Sequence, residues 1–289
     1  MLVMVGSLIV LVCVLGGYLL AHGHLLALWQ PYEFMIIFGG ALGAFITANP
    51  TKVLKAAASE IGALFKGPKY SKEDFVDLLS LLYDIFGVMR KDGLLGMEAH
   101  IENPHSSAVF SAYPRLLREQ HLVEFITDCL RLIIGGNMEP QELEALLDAE
   151  VETHHAEAEV PAHAVATMAD SLPGFGIVAA VLGIVTTMAN LSDDTSEVGM
   201  HVAGALVGTF LGILLCYGFI GPLGAAMEAR AREDGRAFEC VKVGLLANLR
   251  GYNPKVSVEF ARKVLSANKR PTFQDLENHL KGEHAGAGA

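Results

Sequence analysis

Residues 170–228 read DSLPGFGIVAAVLGIVTTMANLSDDTSEVGMHVAGALVGTFLGILLCYGFIGPLGAAME. The stretch holds two long apolar runs, residues 171–191 and 202–227, joined by a short acidic loop at 192–197. Neither run contains Lys, Arg, Asp or Glu, and each exceeds the roughly 20 residues a helix needs to cross a bilayer. This pattern predicts a transmembrane helical hairpin. In the second run Gly204, Gly208 and Gly212 recur every four positions and give the helix one flat face for close packing. Pro173 stands near one end of the first run and Pro222 near one end of the second. In a hairpin the two prolines are expected at the same depth, beside the polar part of the chain. Pro173 cannot donate to the Ala169 carbonyl, nor Pro222 to that of Gly218, so each leaves an acceptor free and bends its helix. Proline alone reads first as a static kink, common in membrane helices; matched depth adds weight to a hinge coupled to the polar domain.

Working outward, 52% hydrophobic residues and a mean hydropathy of +0.40 suit a membrane protein with a substantial polar portion. Residues 2–21 form a charge-free apolar run. A signal peptide needs a basic segment ahead of a shorter core, so this run is expected to be a retained first transmembrane helix. Residues 22–29 make a short turn and Pro31–Ala48 a second span, with Trp29 and Tyr32 where an interfacial aromatic belt belongs. His22 and His24 have no further ligands nearby and read as an exposed turn rather than a metal pair. All 21 Lys and Arg fall in two segments, ten from Lys52 to Arg131 and eleven from Arg230 to Lys281, and the loops 22–29 and 192–199 have none. By the positive-inside rule the 51–169 segment and the C-terminal segment are cytoplasmic, with both termini inside.

The expected fold class is therefore an all-α membrane protein with four transmembrane helices and a helical cytoplasmic domain formed by the 2–3 loop and the C-terminal segment. The expected divisions are transmembrane helices 1 and 2 at residues 1–49, a cytoplasmic helical loop domain at 50–169, transmembrane helices 3 and 4 at 170–228, and a C-terminal cytoplasmic segment with a disordered tail at 229–289. Within the loop, Ser71 and Asp74 open a helix in which Phe75, Leu78, Leu79, Leu82, Phe86 and Met89 recur at helical spacing, closing around residues 91–93. Asn103–Pro104 and Tyr113–Pro114 are turns. Residues 121–134 form a second amphipathic helix, ended by Gly135 and Gly136. Residues 141–159 form an acidic third that aims at the hairpin across Pro161. After the last span, residues 229–249 continue helical with Gly235 as the one breaker, followed by short helices at 254–267 and 272–280.

The chemistry is defined first by what is missing. No ionisable side chain stands in the middle of any span; Glu33 and Asp170 lie at the edges. Ion-coupled proteins need an intramembrane carboxylate or histidine to bind the ion, so any ion-binding carboxylate must come from a partner helix. Neither Glu33 nor Asp170 is expected to carry the proton across, and their amides should reduce function only in part. Thr186, Thr187 and Thr209 offer hydroxyls for an ion path, or hydrogen bonds to their own backbone. No phosphate loop, nucleophile elbow or zinc-type cysteine pair occurs, so no enzyme, cofactor or metal is expected. Cys13, Cys129, Cys216 and Cys240 read as reduced packing residues. His154 and His155, with Glu150 and Glu152, read as a solvated acidic face, because adjacent helical residues point about 100° apart. The net charge of −11 argues against nucleic acid as a partner.

The runs at 170–185 (DSLPGFGIVAAVLGIV), 205–223 (ALVGTFLGILLCYGFIGPL) and 144–162 (EALLDAEVETHHAEAEVPA) resemble the MotA family of bacterial flagellar stator subunits, within the wider MotA/TolQ/ExbB proton channel group. Residues 81–104 (LLYDIFGVMRKDGLLGMEAHIENP) and the C-terminal CVKVGLLANLRGYNPKVSVEFARKVL match as well, so the likeness runs to about residue 280. ExbB and TolQ energisers, which drive an outer-membrane partner, have three spans; four favour MotA. The resemblance implies a stator subunit of the inner membrane that conducts protons with MotB and turns their flow into torque on the rotor protein FliG. It implies a pentamer around a dimer of MotB, a single-span partner whose membrane aspartate carries the ion. It further implies that Pro173 and Pro222 are the two functional prolines, that Thr209 lies near the ion path, and that Arg90 and Glu98 face FliG. At Ala180, sodium-driven relatives place a threonine and proton-driven ones an alanine, so the implied ion is the proton.

Overall fold

The computed structural model describes residues 2–136, 138–189 and 195–286. Among them every regular element is helical. The main helices are α1 (Leu2–Leu20), α2 (Pro31–Ala48), α3 (Thr51–Leu64), α4 (Lys72–Lys91), α5 (Gln120–Gly135), α6 (Pro140–Ala189), α7 (Thr195–Leu215), α8 (Gly221–Leu249), α9 (Pro254–Lys263) and α10 (Phe273–Gly286). The chain divides into two compact units, one of Met1–Gly67 with Ala158–Arg230, the other of Pro68–Glu157 with Ala231–Ala289. Among the described residues four stretches are long and apolar enough to cross a membrane: Leu2–Leu20, Leu25–Ala48, Pro140–Ala189 and Val202–Leu249. The acidic loop expected at 192–197 falls partly outside the described residues; α7 already includes Thr195.

In the first unit the hairpin helices α6 and α7 approach until backbone meets backbone. A Cβ built on Gly212 would stand 2.7 Å from the Leu172 carbonyl oxygen, and one on Gly176 would stand 2.9 Å from that of Gly208. Gly208 and Gly212 thus face α6, and Ala169, Leu172, Ala179 and Cys216 are buried along this seam with Ile37 and Ala41 of α2. A second small core joins Ala57 of α3 to Ala162, Val165 and Met227. The Arg230 guanidinium donates to the carbonyls of Ala63 and Gly67, the latter at 2.7 Å, and so caps the C-terminus of α3.

One helix is longer than its prolines suggest. Residues 141–159 do not end at Pro161: α6 runs unbroken through Pro161 and Pro173. Proline's fixed φ is itself helical, so each ring costs one hydrogen bond and a local bend. The buried turn Ala162–Val165 around Pro161 is held by side-chain packing, which outweighs that loss.

The second unit has one large apolar core. Ser71 and Asp74 form the expected capping box of α4, with the Asp74 N–H donating to Ser71 Oγ at 3.2 Å and the Ser71 N–H to Asp74 Oδ2 at 2.8 Å. Phe75, Leu78, Leu79, Leu82, Ile85 and Phe86 then bury one face of α4 in this core, against α8, α9 and α10. Gly93 closes α4 at φ +77°, and Gly136 ends α5 at φ +64°. The pair His154 and His155 departs from the solvated face expected of it. His154 is half-buried, its ring centroid 3.7 Å from that of Phe238, while His155 occupies the notch at Gly235, where a Cβ would collide with its ring. Gly235 is therefore no breaker: α8 passes straight through it, and the missing side chain admits the imidazole. α10 also extends past residue 280, to Gly286, where a disordered tail was expected. Residues 287–289 of that tail lie outside the described residues.

Near the C-terminus Arg262, only 7% exposed, joins three acceptors. Its Nε and Nη2 donate to the two oxygens of Glu259, each at 2.7 Å, and its Nη1 donates to the Pro271 carbonyl at 2.7 Å. That fork fixes the turn between α9 and α10 and holds the Glu259 carboxyl below its usual range.

Two tests follow from this packing. Gly212→Ala should destabilise the detergent-solubilised protein by about 1–3 kcal/mol, as overpacking does, whereas Gly39→Ala, where nothing lies within 4 Å, should be silent; thermal melts compare them. Arg262→Ala should cost about 1.5–3 kcal/mol, the range for hydrogen bonds to a charged group. Because Glu259 has a depressed folded pKa, its contribution is present above the unfolded carboxylate pKa and vanishes as pH falls through the folded one. The gap between wild type and Arg262→Ala should therefore narrow in acid, and melts across that window measure it.

Candidate functional site

The hairpin register gives each proline its place. Leu172 faces Gly212, Gly183 faces Ala205, and Gly224 faces Ala162 and Ala166. Pro173 therefore lies level with the Gly212 turn, and Pro222 lies level with Ala166. The two are separated by roughly 10–15 Å along the helix axis, about seven residues on α6 and about ten on the facing helix at about 1.5 Å per residue. The expected matched depth is thus corrected. Across the seam Pro173 sits opposite the Gly212 turn rather than opposite Pro222.

The two prolines also solve different problems. Pro173 sits half-buried inside continuous α-helix. Pro222 is exposed and follows a π-helical turn, Cys216–Ile220, in which the Gly221 N–H reaches back five residues to the Cys216 carbonyl. That wider turn re-registers the backbone just ahead of the residue that cannot donate. A Cβ on Gly221 would stand 2.8 Å from the same carbonyl oxygen, so the turn requires glycine there.

Ala180 is half-buried on α6 beside Ala179, and Thr209 is half-buried on α7 with its Cα 3.4 Å from where a Gly176 Cβ would be. The two belong to the same packed hairpin. Thr186 and Thr187 take the backbone alternative, donating to the Leu182 and Gly183 carbonyls at 2.9 and 2.8 Å. Asp170 is exposed. Glu33, placed by its sequence position at a span edge, is the third residue of α2 and only 9% exposed. Its burial was not legible from hydropathy, which registers a carboxylate one turn into a span only as an edge.

In the second unit Arg90 lies in the last turn of α4 and Glu98 opens the short helix Glu98–Glu102; both are exposed. The turn between them, Gly93–Gly96, also exposes Leu94 and Leu95, the latter at 76%. Arg90 borders a pocket of about 400 Å³ shared with Met89, Leu94, Asn248, Tyr252 and Pro254. Sequence spacing alone does not bring the 248–254 turn beside Arg90, because the two are far apart in the chain. No group of three His, Cys, Asp or Glu is placed to hold a metal among the described residues.

Comparison with known proteins agrees with this architecture. Residues 4–93 match the motility protein A N-terminal domain, and residues 118–239 match the MotA/TolQ/ExbB proton channel family. Motility protein A of Salmonella typhimurium is 48% identical over 97% of this chain and 95% of its own length, and that of Escherichia coli 47% over the same shares. In the solved structure of C. jejuni MotAB, a chain superposes with a TM-score of 0.74 over 94% of this chain and 98% of that one, at 19% identity, a likeness of fold. Four apolar helices, a glycine-packed hairpin and a folded helical unit coincide with matches to both halves of the sequence, and the chain belongs to the MotA/TolQ/ExbB proton channel family, among its motility A proteins.

Proposed function

We propose that this chain is a stator subunit of the flagellar motor that works with a MotB-type partner, conducting protons across the inner membrane and turning their flow into torque on the rotor. The observation that carries the proposal is the pairing, in one chain, of a hairpin free of mid-span charge with a folded polar unit that presents Arg90 and Glu98 at its surface. A hairpin without an ion-binding carboxylate needs one from outside, and the proposed source is a membrane aspartate on the single span of the partner. The assembly is a pentamer around a partner dimer. The distribution of Lys and Arg supports a cytoplasmic location for both termini and the polar unit, within reach of the rotor protein FliG. The divisions expected at 1–49, 50–169, 170–228 and 229–289 are kept as functional ones, with 170–228 as the ion path and coupling hairpin. No catalytic step and no cofactor is assigned.

Within this reading Thr209 and Ala180 border the ion route, while Pro173 and Pro222 act at different levels of the hairpin. Pro173 bends the helix beside the packed seam, and Pro222 marks the π turn through which α7 passes into α8. Ala180 offers a methyl group where a sodium site needs an oxygen ligand, which favours the proton. A deletion strain tests the whole reading: loss of swimming, restored by this gene, supports it, and normal swimming in a strain without a second homologue refutes it.

Two finer expectations follow. Swimming should persist when sodium is replaced by potassium and should stop with a protonophore; speed that tracks external sodium at constant proton-motive force would refute the proton assignment. Arg90→Glu should lower torque, and a compensating charge reversal on the rotor should restore part of it, with coupling that weakens as salt screens the contact. Torque in single tethered cells measures this, and absence of both rescue and salt dependence would remove the electrostatic contact.

A further inference from the structure

The carboxyl of Glu33 lies where a membrane helix rarely keeps one. It is over nine-tenths buried and its Oε2 has no hydrogen-bond partner. It fits into a notch that the hairpin leaves open by omitting side chains. A Cβ on Gly208 would stand 2.7 Å from Oε2 and 3.2 Å from the Ala179 Cβ, and one on Gly183 would stand 3.8 Å from Oε1. One turn earlier Gln30 faces Gly204 in the same way, its Nε2 3.2 Å from where a Cβ on that glycine would be. The glycine stripe therefore does two things: part of it seats α6 backbone, and part of it receives polar side chains from α2.

An ionised carboxylate with an orphan oxygen among apolar helices is costly, and binding a proton removes the charge. The exposed Tyr32 directly precedes Glu33, and α1 carries Tyr18 near its end. α2 carries no further titratable group. On α6 the nearest acid to Gly183 is Asp170, about 20 Å along the axis. α7 carries Glu197 and His201, more than a turn before Gly208, and the segment ahead of α2 carries His22 and His24. The notch residues Ala179 and Gly208 are chain neighbours of Ala180 and Thr209, which the proposed function sets beside the ion route.

We propose that Glu33 in its glycine notch is a proton-exchange site of this subunit, a carboxyl that takes up a proton and releases it toward the hairpin face carrying Ala180 and Thr209. The inference rests on the proton-conducting reading above. It does not make Glu33 the carrier that crosses the membrane. It makes it a loading group, whose removal matters most when protons are scarce.

The experiment uses the full chain co-expressed with its MotB-type partner, comparing wild type, Glu33→Gln and Glu33→Asp, with assembly checked by co-purification. Glu33→Gln keeps the shape and loses the titration; Glu33→Asp keeps the titration and shortens the arm. Proton flux in Glu33→Gln should equal wild type at mildly acidic external pH and fall by roughly tenfold, or about 1.4 kcal/mol on the barrier, at mildly alkaline pH. Glu33→Asp should retain the wild-type pH profile. A Glu33→Gln profile that superposes on wild type, or equal impairment of both variants at every pH, would overturn the proposal. Infrared difference spectra of the purified wild-type protein on a pH step give a second readout independent of flux. A carboxylic C=O band absent from Glu33→Gln supports the site, and identical spectra refute it. If the wild-type pair passes no protons, the conduction reading fails, while the infrared result still decides whether Glu33 exchanges a proton.

Discussion

The contact on which the membrane unit depends is a glycine set against a carbonyl. With a Cβ, Gly212 would stand 2.7 Å from the Leu172 oxygen, and Gly176 would meet the Gly208 oxygen at 2.9 Å. Lipid supplies no hydrophobic drive for two apolar helices to associate, so van der Waals contact between closely approaching backbones must hold them. That contact sets the register of the hairpin, and the register sets every other position in it: which turn Pro173 faces, which layer Ala180 and Thr209 share, and which gap is left for Glu33. A side chain added at Gly212 would force the helices apart and shift all of these together.

Much of the fold was legible because it is written locally. Helical spacing of Phe75 to Phe86, the Ser71–Asp74 box, the charge-free runs and the glycines after α4 and α5 each fix an element through neighbours a turn away. What escaped was set by contacts distant in sequence. Pro161 looked like a boundary, yet packing of Ala162 and Val165 carries α6 through it. Gly235 looked like a breaker, and its role appears only once His155 is found in its notch. The level of the two prolines depends on where the turn is centred, and run ends are a poor guide to that.

The candidate site shows the same division. The surface position of Arg90 and Glu98 follows from their place beside a polar turn, whereas the neighbouring 248–254 turn comes from the far end of the chain. Thr186 and Thr187 could have served the route or their own backbone, and the structure gives both to the carbonyls four residues back. Thr209 is set apart from them by position, packed across from Gly176 on the closest-approaching turn of the hairpin.

Separating the prolines changes how a hinge would have to work. Two kinks at one level bend a helix pair about a single line and move everything beyond it as a block. Kinks roughly 10–15 Å apart, one within packed α-helix and one after a π turn, cannot share an axis. Pro173 sits opposite the tightest backbone contact, so bending there must slide α6 across Gly212. Pro222 follows a turn whose hydrogen bond already spans five residues, so bending there can be absorbed by conversion between π and α geometry without breaking the seam. The seam held by Gly212, Gly208 and Gly176 begins at the level of Pro173 and runs toward the loop, away from Pro222; it is then the rigid element, and bending at Pro222 shifts the helix ends on its far side about a fixed glycine contact.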